Sequence, residues 1–217
     1  MGIKKALLIG ASGPTGGPML KQLLQDDAYN QVTVYVRKQF STTHPKLVKK
    51  IIDIENFNET VEADDVFCCI GSDLKKIGSK KAFEEFDLTF PLKVAALQKK
   101  AGSEKFIVVS TIGADANASS FYNQVKGRLE EGLKEIGFPS LFILRPSVIA
   151  GRRREQNWPN NMKTFIYEMI SPLLVGPFKK FRAIQARVIA RAMVHYANST
   201  ETGTKIIFPD TIKSFEF

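Results

Sequence analysis

The chain has 217 residues, 44% of them apolar, which is enough to bury one substantial core and too few for two full domains with a linker, so a single domain spanning 1–217 is expected. Its 31 lysines and arginines against 22 acidic residues give a net charge of +9, which suits an anionic ligand, whether a phosphate-bearing cofactor or nucleic acid. No run of about eighteen apolar residues is present, the start leads straight into a short apolar strand rather than a signal-peptide core, and two adjacent cysteines with two isolated histidines make neither a disulfide framework nor a metal site; a cytoplasmic protein without metal ligands and without a membrane partner is expected.

From the start to about residue 150, short apolar runs alternate with helix-like stretches, the pattern of parallel strands joined by crossover helices. Strands are expected over 4–9, 31–36, 48–54, 65–70, 105–110 and 140–144. Runs such as ALLI, VFCCI and FIVVS are continuously apolar rather than alternating, as strands covered on both faces are. Helices are expected over 15–26, 80–101 and 119–136, the last carrying Val125, Leu129, Leu133 and Ile136 on one face, with Gly102 and Gly137 standing where helices commonly end. After Pro146 comes a basic loop, then helices expected over 162–174 and 183–196 and a strand near 205–208. The expected fold is thus α/β, a Rossmann-type doubly wound parallel sheet, with 151–217 as a small C-terminal substrate-side lobe. No internal repeat or low-complexity segment is present.

The segment GASGPTG follows the first strand and opens the first helix, where a dinucleotide pyrophosphate needs close backbone approach and a helix N-terminus. Gly10, Ser12, Gly13, Thr15 and Gly16 are therefore expected to bind a nucleotide, the bland alternative being a tight turn without a ligand. Pro14 removes one amide donor but suits the first turn of a helix. At the end of the second strand an acidic residue would select NAD and a cation NADP; the residues there are Arg37 and Lys38, so NADP(H) is expected ahead of NAD(H). Asp53, closing the third strand, is a candidate acceptor for the adenine amino group, with a capping or surface role as the alternative.

Tyr122 and Lys126 stand four residues apart on one face of the expected helix, beyond the hydroxyls Ser110 and Thr111 that end the fifth strand. A phenol ordinarily titrates at about 10, so using it as an acid and base near neutrality calls for a neighbouring cation. A carbonyl reductase needs such a phenol and cation; an exposed helix with a tyrosine at its rim is the alternative.

The chain resembles the atypical short-chain dehydrogenase/reductases, and within them the Tat-interacting-protein-like, NAD(P)H-binding group. The resemblance runs through GASGPTG at 10–16, VYVRK at 34–38, CCIGSD at 68–73, VVSTIGAD at 108–115, FYNQVKGRLE at 121–130 and LRPSVIAG at 144–151. It implies that Cys69, Ile70 and Gly71 line the cofactor, that Ser110 or Thr111 orients a carbonyl, and that Pro146 and Ser147 approach the nicotinamide. One departure is that in extended relatives the catalytic hydroxyl can lie one or two positions beyond the strand end, where this chain has Ile112 and Gly113.

The expected activity is hydride transfer between NADP(H) and a small carbonyl or alcohol substrate, with Tyr122 as acid and base and Lys126 tuning it and also holding the nicotinamide ribose. The alternative is a cofactor-sensing regulatory or scaffold protein with a protein partner. Nucleic-acid binding ranks third, because no basic helix or aromatic stacking motif accompanies the charge. The sequence does not fix the oligomeric state; a homodimer or a regulatory protein partner are the candidates. Arg152, Arg153 and Arg154 are a candidate anion clamp or a solvated run, and Trp158, Phe165, Tyr167 and Met169 a candidate apolar pocket wall or packing. Cys68 and Cys69 read as small buried hydrophobes.

Overall fold

In the computed structural model, which describes residues 3–150 and 183–216, the apolar runs become strands of one parallel sheet. These are β1 (Lys4–Ile9), β2 (Tyr29–Val36), β3 (Leu47–Ile51), β4 (Asp65–Cys68), β5 (Lys105–Val109), β6 (Ser140–Leu144) and β9 (Gly203–Ile207); β7 (Ile149–Ala150) and β8 (Ile184–Gln185) form a separate small pair. The seven-stranded sheet has the order β3-β2-β1-β4-β5-β6-β9 with every pairing parallel. The chain winds outward from β1 to β3, then crosses back to β4 beside β1 and winds the other way. Between β1 and β4 the connections diverge, and such a switch point opens a crevice at the carboxyl ends of the strands.

Both faces are covered, which is why the strands carry little polar alternation. On one face α1 (Gly16–Gln25) and α6 (Ala186–Asn198) bury Met19, Leu23, Ile189 and Met193 against Ala6, Leu8 and Val34. On the other, α4 (Phe90–Lys100) and α5 (Phe121–Ile136) bury Val94, Val125, Leu129 and Leu133 against Leu7, Ile9 and Val108. The spacing of Val125, Leu129 and Leu133 is the stripe a helix turns toward a sheet. Short helices α2 (Leu74–Ile77), α3 (Lys80–Glu84) and α7 (Pro209–Lys213) complete the described elements together with a 3₁₀ turn at Ser214–Glu216. Gly102 and Gly137 both have positive φ, 95° and 72°, and terminate α4 and α5 as their positions suggest.

Two differences from the expected elements have physical causes. The helix expected over 80–101 is three pieces, α3, a π-helical segment Glu85–Thr89, and α4. Pro91 has no amide to give the carbonyl four residues earlier, and just before it the ladder widens so that Phe90 N–H reaches Glu85 O. Within 151–217, the described part is woven into the main sheet: β9 pairs with β6, and α6 packs into the core. The C-terminal end of α6 is tied to the opposite edge of the sheet from the crevice, where Lys4 Nζ bonds Asp65 Oδ2 (2.6 Å), Asn198 Oδ1 (2.8 Å) and Ala197 O (3.1 Å). The helix expected over 162–174, the three arginines 152–154, and Trp158, Phe165, Tyr167 and Met169 lie outside the described residues.

Candidate functional site

At the switch point the glycines of the β1–α1 turn are held by contacts that leave no room for a side chain. Gly10 has φ of 87°, and a Cβ there would stand 2.7 Å from the Cys69 carbonyl carbon and oxygen. A Cβ on Gly16 would lie 1.9 Å from Gly10 O, and one on Gly13 would lie 3.2 Å from the same oxygen. The turn is therefore folded back on itself, with Gly13 N–H donating to Gly10 O (2.9 Å), and pressed against the β4 end. At the start of α1, Thr15 makes no side-chain capping bond, and no acidic residue occupies the first turn. The positive end of the helix dipole thus faces outward uncompensated, a setting that favours phosphate.

A cavity of about 1290 Å³ opens over this turn. That exceeds the roughly 300–1,000 Å³ of pockets for drug-sized ligands and suits an extended dinucleotide. Gly10, Ser12 and Gly13 form its floor, Cys69, Ile70, Gly71 and Ser72 one wall, and Arg37 and Phe86 another. The Arg37 guanidinium lies over the Phe86 ring, 5.0 Å from its centroid, so this cation is held at the cavity by stacking. The remaining charged lining, Lys21 and Lys76 with Asp73, is also net positive. A cradle that a Cβ would fill, an open helix N-terminus and a cationic rim fit a dinucleotide with its pyrophosphate on the turn.

Several of the other residues singled out by sequence stand behind the cavity or away from it. Thr15 and Gly16 are buried beneath the turn, and Lys38 is exposed beyond the lining. Asp53 is fully exposed and closes its own turn, its carboxylate accepting from Glu55 N–H (3.1 Å) and Asn56 Nδ2 (2.8 Å), bonds that hold its pKa below the usual carboxylate value. Pro146 is buried, and its carbonyl accepts from Ile112 N–H (3.0 Å), joining the ends of β5 and β6. Cys68 and Cys69 are buried; burial raises the Cys68 thiol to about 11 and pushes Cys69 up as well, so neither offers a thiolate near neutrality.

Helix α5 carries Tyr122, Lys126 and then Glu130 on one stripe. Its first turns sit close against the preceding loop because Gly127 has no side chain; a Cβ there would be 2.1 Å from Ala116 N. Tyr122 is half-buried against Phe83, ring centroids 5.8 Å apart. Lys126 is 1% exposed, its ammonium 2.9 Å from Asp87 Oδ1 and donating to Ile70 O at 3.2 Å. One turn on, Glu130 is also 1% exposed; it accepts from Ser110 Oγ and holds Arg145 through Nε (3.0 Å) and Nη2 (2.6 Å). Ser110 is thus committed to a buried ion pair, whereas the half-buried Thr111 hydroxyl makes no side-chain hydrogen bond among the described residues.

The network residues Asp87, Glu130 and Arg145 were not singled out from sequence. A signal existed for each: an acid within the mostly apolar FDLTF, an acid four residues after Lys126, and an arginine directly after the sixth strand.

Residues 10–137 match the family model described as NAD(P)H-binding. Protein HTATIP2 of Rattus norvegicus is 33% identical over 159 residues, 70% of this chain and 65% of that protein, so the chain spans slightly under two thirds of that relative. Protein FMP52-1, mitochondrial, of Scheffersomyces stipitis is 34% identical over 155 residues, covering 68% of each. Among solved structures, a UDP-N-acetylglucosamine 4-epimerase from Methanobrevibacter ruminantium M1 superposes with a TM-score of 0.72 at 20% identity, covering 96% of this chain and 77% of that one. The Bordetella bronchiseptica enzyme WbmH, solved in complex with NAD+, gives 0.67 at 16% identity over 98% and 79%. At those identities the likeness is one of fold, that of Rossmann-type enzymes. With the matched model spanning most of the crevice and the glycine turn, the chain belongs to the NAD(P)H-binding, Tat-interacting-protein-like family of atypical short-chain dehydrogenase/reductases.

Proposed function

We propose that the chain is an NADP(H)-dependent oxidoreductase acting on a small carbonyl or alcohol, with Tyr122 exchanging the proton. The observation that carries this reading is the Tyr122–Lys126 pair on α5, whose ammonium bonds the carbonyl of Ile70, a residue in the wall of the dinucleotide cavity. A bound nicotinamide would supply or accept the hydride. The chain's own residues do the rest: the phenol of Tyr122 donates a proton to the carbonyl oxygen or takes one from the alcohol, with the Lys126 cation one turn along the same helix face. Thr111 is the hydroxyl proposed to orient the substrate oxygen, because Ser110 is engaged by Glu130. The preference for NADP(H) is supported by Arg37, stacked at the cavity rim with no carboxylate replacing it at the end of β2.

The same commitment of Ser110 also favours a second reading, a cofactor sensor without turnover. A carbonyl panel assayed with NADPH separates the two. Tyr122→Phe and Thr111→Val are expected each to lower turnover by about a hundredfold or more with cofactor affinity retained, while Ser110→Ala changes stability more than rate. Tight NADPH binding with no turnover on any substrate would favour the sensor. The cytoplasmic location is part of the proposal; the FMP52 relatives are named mitochondrial, and among the described residues no helix is long and apolar enough to cross a membrane. Fractionation of the native cell decides it.

A further inference from the structure

Asp87 has no part in the reading above, yet it is one of the most completely enclosed charged groups among the described residues, at 0% exposure. It sits in the π-helical segment just before Pro91, where the widened turn directs its carboxylate toward α5 and the β4 loop. One oxygen pairs with Lys126 Nζ at 2.9 Å. The carboxylate also accepts from Ser72 N–H (3.1 and 3.2 Å) and from Ser72 Oγ. Ser72 and Ile70 both belong to the cavity wall, and Ile70 O takes a second Lys126 hydrogen. One carboxylate therefore closes a ring through the ammonium, the Ile70 carbonyl and Ser72, lying directly behind the surface that faces the cofactor.

We infer that Asp87 is a positioning residue that holds the Lys126 ammonium in its charged form against the β4 loop, so that its remaining hydrogen is available to the cofactor. This rests on the cofactor reading above. The physical need is plain: an ammonium with 1% exposure has lost nearly all its hydration, and without a counter-charge it gives up its proton instead. Burial acts to lower the pKa of Lys126, but the charge and hydrogen bond of Asp87 are the main counterweight, and the balance leaves it above the ordinary lysine value. The groups that face the ammonium are Asp87 from the π segment, Tyr122 from its own helix and Cys68 from β4, the last titrating only at about 11. Between pH 7 and 9 the lysine stays charged in the native protein, and removing Asp87 takes away the largest contribution that keeps it so.

The test is NADPH affinity, followed by nicotinamide fluorescence from pH 7 to 9, in the native chain and in Asp87→Asn, Lys126→Met and the double variant. In the native chain Lys126 contributes no pH dependence over this range. In Asp87→Asn, Lys126 is expected to be neutral at pH 9, with affinity about tenfold below the native value there and any recovery coming only as the pH falls. Lys126→Met and the double variant bind weakly with the same pH profile as each other, the dependence having been removed with the lysine. Native-like affinity for Asp87→Asn at pH 9, or a pH dependence that survives in the double variant, would overturn the inference. No NADPH binding by the native chain is a different result and would sink the cofactor reading instead. If Asp87→Asn does not fold, native protein carrying carbon-13 lysine serves, with the Lys126 signal identified by its loss in Lys126→Met. A charged Lys126 through pH 9 whose ε-methylene signal moves on adding NADPH is expected, and a lysine neutral below pH 9 or unmoved by NADPH contradicts it.

Discussion

Gly16→Ala is expected to weaken NADPH binding by at least about a hundredfold, equivalent to about 2.7 kcal/mol, and to destabilise the fold by about 3 kcal/mol. The methyl would need to occupy space 1.9 Å from Gly10 O and 2.9 Å from Ala11 Cα, so the turn and the start of α1 must separate. Both are rigid backbone, and neither can yield as a flexible side chain would. The effect should be graded through the motif. Gly10→Ala, with a positive φ and 2.7 Å contacts to the Cys69 carbonyl, comes next; Gly13→Ala, at 3.2 Å, is milder. Gly17→Ala meets nothing closer than 3.9 Å and removes a flexible residue from a helix, so it is expected to leave folding intact or raise stability by about 0.5 kcal/mol. Titration calorimetry and urea unfolding on the four variants check the order, and equal effects at Gly16 and Gly17 would contradict it.

Glu130→Ala is expected to cost about 4 kcal/mol of stability and about 10 °C in Tm. It strips the counter-ion from Arg145, whose side chain is only 19% exposed, and leaves the buried Ser110 hydroxyl without its acceptor. The loss is mainly that of stranding a charge, so Arg145→Met combined with Glu130→Leu should cost much less than the sum of the two single changes. Denaturant unfolding of the cycle measures this. Simple additivity would mean that the pair is not coupled. Because this pair joins α5 to the ends of β5 and β6, its loss should also disturb Thr111 and Tyr122, and turnover should fall with stability.

The strands were legible because a sheet covered on both faces needs uninterrupted apolar runs, and VFCCI and FIVVS supply them. The glycine turn was legible because its chemistry is local: strand, three glycines and helix follow one another within β1–α1. Its inner members were less so. Spacing alone does not separate Gly10 and Gly13, which line the cavity, from Gly16, which supports it from beneath. Tyr122 and Lys126 were visible as neighbours on a helix, but the partners that determine what Lys126 and Ser110 can do come from distant segments. Asp87 reaches Lys126 through a π-helical turn whose only sequence mark is Pro91, and the Ser110–Glu130–Arg145 network unites β5, α5 and the end of β6. Asp53 carried a plausible local pattern for adenine; it bonds its own turn and does not line the cavity.

The most direct test of the central claim, that the crevice between β1 and β4 holds a dinucleotide through its glycine turn and Arg37, is calorimetric titration of the native chain and of Arg37→Ala with NADPH and with NADH. The account predicts one site per chain, tighter binding of NADPH than of NADH by the native chain, and a preference largely lost in Arg37→Ala while NADH affinity is little changed. Absence of binding by either nucleotide to a folded native chain would contradict it.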